Sequence, residues 1–200
     1  MRIISTLHAV VLVIGSLWCF ADARGYDESG CIWGYSFPPD FMARVFLGYL
    51  LYDLALMIRH HRTLRDTSGI IHHLIFACTA AYVLAHSIYK YPFSWLSLAE
   101  LSTPFINLRW HLAVTGYKDS KIYLYNGLLV LGLFFFARVL VYGIGLAHLW
   151  RIRHVWLQPW VPAGHKAVAG LLTAGYLLNV YWMYLMVKAV RRALSRKKEA

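Results

Sequence analysis

The feature that most constrains this chain is the length of its apolar runs. Six stretches, Ile3–Ala21, Phe41–Ile58, Ile70–Tyr89, Phe93–Leu112, Tyr123–Leu146 and Ala167–Val187, match the ~20 residues a helix needs to cross the hydrocarbon of a bilayer. The connections are short, and no soluble domain, repeat or low-complexity linker separates the runs. With 60% of its residues hydrophobic and 14% charged, the chain has too little polar sequence to clothe a water-soluble domain. The sequence predicts an all-α polytopic membrane protein. About six transmembrane helices form one domain over residues 1–190, and a basic tail follows over 191–200.

Charge then sets orientation. The net charge is +11, from 20 Lys and Arg against nine acids. In a membrane chain this reads as loop and tail charge facing the cytosol and anionic lipid, so no nucleic-acid partner is expected. On one side lie Arg2, Arg59, Arg62, Arg65, Lys118, Lys121, Lys188, Arg191, Arg192, Arg196, Lys197 and Lys198; on the other lie Arg24, Arg44, Lys90, Arg151, Arg153 and Lys166. The richer side belongs in the cytosol, which places both termini there. The loop over 147–166 argues mildly the other way.

Both ends of the chain carry possible addresses. The N-terminus imitates a secretory signal, with a basic start, an apolar stretch and "ADA" at Ala21–Ala23. Its apolar part is longer than the usual signal core of about 7–15 residues, which favours a retained span. The C-terminus reads "RKKEA". Lys197 and Lys198 fit a di-lysine retrieval signal read by a coat between Golgi and endoplasmic reticulum, which needs an accessible cytosolic tail. The alternative is an ordinary basic tail at the interface.

Polar groups inside spans are costly in hydrocarbon, so they turn toward partners or a wet cavity. In the fourth span, Ser97, Glu100, Thr103, Pro104, Asn107 and His111 fall on one helical stripe, opposite Phe, Leu, Ile and Trp. Pro104 also frees a backbone carbonyl there. Other spans offer Tyr49, Tyr52 and Asp53; His72, His73 and His86; Asn126 and Arg138; and Thr173, Tyr176 and Asn179. Two readings stand. The charged groups neutralise one another and hold the packing, or they line a polar cavity; Glu100 together with a histidine favours the cavity. His72 and His73, about 100° apart on a helix, cannot face one point. The pair either sits in an interfacial, capping position after "DTSG" or provides a general base or nucleophile oriented by Glu100.

Cys19, Cys31 and Cys78 lie far apart and imply neither a zinc site nor a disulfide framework. The chain lacks H-E-x-x-H, G-x-S-x-G, a P-loop and the clustered histidine boxes of membrane di-iron enzymes. No metal and no cofactor are therefore expected.

Several motifs then occur in order: "STLHA" near the start, "GYLLYDL" at 48–54, "HH" at 72–73, "LAELSTPFINLRW" at 98–110, "NGLL" and "FFFARV" within 126–139, and "LLNVYWMYLMVK" at 177–188. Together they closely resemble the TLC-domain family, which includes the ceramide synthases. The resemblance implies a helical bundle around a lipid-accessible cavity. In ceramide synthases a histidine pair opens a signature that continues to H-D-x-x-D and serves acyl transfer from acyl-CoA to a sphingoid amine. Here His72 and His73 match the pair, Glu100 and Thr103 stand at the two aspartate positions, and Ala99 replaces the later histidine. The tentative catalytic set is His72, His73 and Glu100. Asp53, Thr103, Asn107, His111, Asn126, Arg138 and Asn179 are expected to line the cavity.

Three functions follow. The first is an endoplasmic-reticulum protein that binds lipid acyl chains and acts in membrane lipid homeostasis. The second is an N-acyltransferase with acyl-CoA as substrate. The third is a cargo or trafficking adaptor using the di-lysine tail and its coat partner.

Overall fold

The computed structural model describes residues 2–34 and 36–198. The side chains of 193, 194 and 196–198 lie outside that description, and the retrieval residues Lys197 and Lys198 fall among them. Helices and helical turns make up all the regular structure among the described residues. In order these are α1 (Arg2–Asp22), α2 (Gly30–Trp33), α3 (Phe37–Arg59), α4 (His61–Leu64), α5 (Thr67–His86), α6 (Lys90–Leu98), α7 (Thr103–Val114), α8 (Lys121–Phe134), α9 (Tyr142–Arg151), α10 (Arg153–Trp156) and α11 (Ala163–Lys198).

Local chemistry explains the boundaries. Pro38 and Pro39 sit in the first turn of α3, where the missing N–H groups cost no helical bond. Asp66 caps α5 by accepting from the Gly69 N–H at 2.8 Å. Ser120 caps α8 in the same way, accepting from the Tyr123 N–H at 3.2 Å. The reversal between α5 and α6 passes through left-handed residues Ser87 and Tyr89, with φ of 54° and 56°. Tyr89 is locked there because its hydroxyl donates to the carbonyl of His165 at 2.9 Å.

Among the described residues, five helical stretches are long and apolar enough to cross a membrane: Arg2–Gly25, Phe37–Arg59, Thr67–His86, Lys121–Arg151 and Ala163–Arg192. The expected fourth span, Phe93–Leu112, differs. It is made of α6 and α7, joined by the tight 3₁₀ turn Ala99–Ser102. The fifth span also carries an irregularity, because α8 passes into α9 through the π-helical turn Phe135–Val141.

The helices close into a ring. Going round it, α1 packs on α3, α3 on α5, α5 on α11, α11 on the π turn, α8 on α7, and α7 back on α1. α6 lies inside this ring, against α1, α3 and α9. Its burial shows this, since Lys90, Pro92, Phe93, Ser94, Trp95 and Ser97 are all enclosed, whereas Asn107 is the buried residue of α7. The fourth segment therefore starts as a central plug and moves to the rim at its 3₁₀ turn. Small residues allow the plug to fit: a methyl group added at Gly145 of α9 would lie 2.4 Å from the Trp95 indole.

α1 packs as a full member of the bundle. Ala9 and Leu12 are 0% exposed, and the Ser16 hydroxyl donates to the Ser94 carbonyl at 2.7 Å. A hydrogen bond of this kind in a membrane averages ~0.6 kcal/mol, so the packing of Ala9 and Leu12 carries most of the docking. The outer surface is apolar, as lipid contact requires, with Ile14, Leu128 and Ile144 among the exposed side chains.

At the end holding the starts of α3 and α6, Lys90 is almost wholly buried and donates to Asp40 at 2.8 Å. Arg44 reaches the other oxygen of that carboxylate at 2.9 Å from a largely exposed position. Cys31, in the short α2 outside the spans, is buried, and burial pushes its thiol up from the ordinary value, with Asp27 and Glu28 adding to the effect. Such a thiol is a packing group.

Candidate functional site

Beyond the α6 plug the ring encloses a cavity of about 570 Å³ at the end where α1 begins and α3 stops. Arg2 and Met186 both line it, so the start of α1 and the far half of α11 lie at one end of the bundle.

The capped start of α5 sets the histidines. His72 and His73 lie one to two turns into the helix, past the cap, and both line the cavity. The structure separates their surroundings, as adjacent helical positions require. The His72 ring packs between Phe76, at 4.7 Å between centroids, and Trp182 of α11, at 5.1 Å. His73 turns toward α3, where its Nε2 lies 3.6 Å from Oδ2 of Asp53. Neither His72 Nδ1 nor His73 Nδ1 has a hydrogen-bond partner among the described residues.

Glu100 is placed by the 3₁₀ turn and lines the same cavity. Its direct partners are Thr103, whose hydroxyl donates to it at 2.6 Å, and Arg138, at 3.5 Å. The carboxylate in contact with a histidine is thus Asp53, and Glu100 belongs to the arginine. Arg138 is the hub of this second group. Its guanidinium donates to Ser102 Oγ at 3.2 Å, Thr103 Oγ1 at 3.1 Å and Asn179 Oδ1 at 3.4 Å. The π turn delivers Arg138 to the interior, where it is 7% exposed.

The remaining expected residues divide. Asn107 lines the cavity and ties α1 to α7: it accepts from Arg2 at 3.0 Å and donates to the Arg2 carbonyl and to Thr6. Asn179 lies buried behind Arg138. Asn126 and His111 stand away from the cavity. Asn126 donates to the Phe105 carbonyl at 2.9 Å and joins α8 to α7, while His111 is exposed beside Trp110. The stripe read along the fourth span breaks at the 3₁₀ turn. Three residues per turn in place of 3.6 advances each step by about 20° more, so residues before and after the turn lose a common face.

The site also includes residues that the sequence reading missed. His8 of α1 is 7% exposed, its ring stacks on Tyr49 at 3.8 Å, and neither of its nitrogens has a partner among the described residues. A signal was available, because Ser5, His8 and Ser16 recur at helical spacing within an otherwise apolar run. His8 stands behind the lining residue Tyr49, whereas Trp182 and Arg2 line the cavity itself. Among the described residues, no three His, Cys, Asp or Glu side chains are grouped to hold a metal ion.

Chemically, the cavity holds a carboxylate-backed imidazole and a buried guanidinium in a lining that also includes the apolar side chains Leu50, Ile106, Phe134 and Leu185. Unpartnered nitrogens in such a place suit a ligand with a polar end and an apolar body.

A ring of helices around a buried polar chamber, five of its stretches long and apolar enough to span a bilayer among the described residues, defines a multi-pass helical membrane protein. The chain belongs to the TLC-domain family, whose family model matches residues 1–188. It is 31% identical over 213 residues to TLC domain-containing protein 4 of Xenopus tropicalis, covering 99% of this chain and 77% of that protein. It is 34% identical to TLC domain-containing protein 4-B of Xenopus laevis, covering 98% and 75%. The human TLC domain-containing protein 4 is 28% identical, covering 99% and 76%. No solved structure matches the chain.

Proposed function

We propose that this protein holds a lipid acyl chain in the central cavity and acts in the lipid homeostasis of the endoplasmic-reticulum membrane. One observation carries the reading: apolar side chains and two buried polar pairs, His73–Asp53 and Arg138–Glu100, share one chamber of about 570 Å³. The acyl chain takes the apolar wall. The polar end of the lipid satisfies the free nitrogens of His72 and His73.

The test is lipid analysis of the purified protein by native mass spectrometry. The wild type is expected to retain an acyl-chain lipid, and His73→Ala and Asp53→Asn each to lower its occupancy at least about tenfold, the cost of leaving a buried polar partner unmatched. A wild type that retains no lipid, or variants that retain it fully, would overturn the reading.

The His73–Asp53 contact favours one second reading, an acyl-CoA-dependent N-acyltransferase. Asp53 would hold the proton on Nε2, leaving the Nδ1 lone pair to take a proton from the attacking amine. The amine nitrogen bonds to the thioester carbon, the carbon–sulfur bond breaks, and the thiolate leaves with that proton. Turnover of palmitoyl-CoA with a sphingoid amine, lost in His73→Ala, would support this reading; no turnover with bound lipid supports the first.

Location rests on Lys197 and Lys198 together with the charge asymmetry that turns both termini to the cytosol. With an N-terminal tag, Lys197→Ser with Lys198→Ser is expected to move the protein from the endoplasmic reticulum to the Golgi in fluorescence images. An unchanged distribution removes the retrieval signal.

A further inference from the structure

A second hollow, of about 820 Å³, lies between the π turn and the last third of α11. It shares no lining residue with the central cavity. The π turn explains both: it sends Arg138 inward and leaves Phe135, 49% exposed, on the outer wall. Phe135 and Val139 form one side of the hollow, and α11 forms the other.

The α11 side changes chemistry along its length. From Val180 to Val187 the lining side chains are Val180, Met183, the Tyr184 ring and Val187, largely apolar over a rise of about 10 Å at 1.5 Å per residue. Lys188, Arg191 and Arg192 then line the hollow within a single turn. Spacings of three and four residues put these cations on one helix face. α11 contains no Asp or Glu over Ala163–Lys198, so no acid of its own helix neutralises them. Lys188 Nζ lies 5.7 Å from the Tyr184 ring centre, at the junction of the apolar and cationic parts.

A groove that is greasy toward the membrane interior and triply cationic at the boundary has the polarity of one phospholipid. We propose that it is a binding site for an anionic membrane phospholipid, with an acyl chain along Val139 and Met183 and the phosphate on Lys188, Arg191 and Arg192. Guanidinium groups match phosphate oxygens two at a time, and three cations with no acid on their own helix favour a headgroup of net negative charge over a zwitterionic one. The site is independent of whatever occupies the central cavity.

The full-length protein in detergent is titrated with phosphatidylserine and with phosphatidylcholine of identical chains, and bound lipid is counted by native mass spectrometry. The wild type is expected to bind phosphatidylserine at least about tenfold more tightly. Arg191→Gln with Arg192→Gln should weaken it about 25-fold, at roughly fivefold for each cation, and weaken phosphatidylcholine by less, so that the preference between the two lipids shrinks. Met183→Trp, which fills the apolar part and keeps every cation, should also weaken phosphatidylserine. Equal binding of the two lipids by the wild type overturns the proposal. So does full phosphatidylserine binding by Met183→Trp, since the cations would then act as a loose belt without a groove. An unshifted thermal unfolding midpoint and retained central-cavity lipid show that the variants are folded.

Discussion

Lys90→Met is expected to lower the unfolding free energy by about 3–5 kcal/mol, the range for breaking a buried ion pair from one side. Lys90 is the first residue of α6, and its ammonium is 1% exposed, 2.8 Å from Asp40. Removing it leaves the Asp40 carboxylate, 8% exposed, facing a methyl group, with Arg44 as its remaining cation. Arg44 is 66% exposed, so its compensation is screened by solvent. Lys90→Met with Asp40→Asn should recover part of the loss, because both buried charges then leave together. The measurement is unfolding of the purified protein in mixed micelles. A loss below about 1 kcal/mol for the single variant would show that the pair is solvated and does not anchor the plug.

Arg138→Met should damage stability and binding together. The guanidinium ties its own π turn to three other parts of the bundle: Glu100 and Ser102 in the 3₁₀ turn, Thr103 at the start of α7, and Asn179 on α11. Its loss strands Glu100, whose side chain is 15% exposed, in the cavity wall, again at a cost of about 3–5 kcal/mol. Arg138→Lys should fall between, since an ammonium keeps the charge but cannot span the fork of acceptors. Lipid occupancy by native mass spectrometry should drop at least about tenfold in Arg138→Met, with Arg138→Met and Glu100→Gln combined regaining more stability than occupancy. If the double variant recovers occupancy fully, Arg138 serves the packing alone.

The sequence made the membrane character, the helical class and the family plain, because each rests on long runs or on contiguous motifs. His72, His73, Asp53, Thr103, Asn107 and Glu100 were placed in one chamber by their cost in hydrocarbon, and the structure brings them together there. Pairing was not legible. Whether His73 meets Asp53 or Glu100 depends on how α3 and α6 sit across the ring, which no spacing within one helix reports. The 3₁₀ turn was hidden for a similar reason. Its residues, "AELS", favour a helix, and the tightening comes from the step between plug and rim. His111, one helical turn beyond Asn107 on α7, stands past the cavity and is exposed. The π turn left no mark either, yet it positions Arg138. His8 escaped notice because an apolar first span reads as an anchor, and a single imidazole in it looks incidental.

The central plug has a consequence for trafficking of lipid between the two halves of the bilayer. With α6 filling one half of the ring, the chamber is a blind cup and cannot act as a conduit from one face to the other. Its lining includes Arg2, Leu64 and Asp66, at the end where α1 begins and α3 stops, so a lipid bound as proposed would exchange with the leaflet on that side. Under that proposal the protein would serve a single leaflet, and lipid of the far leaflet would have to be flipped across before it could bind.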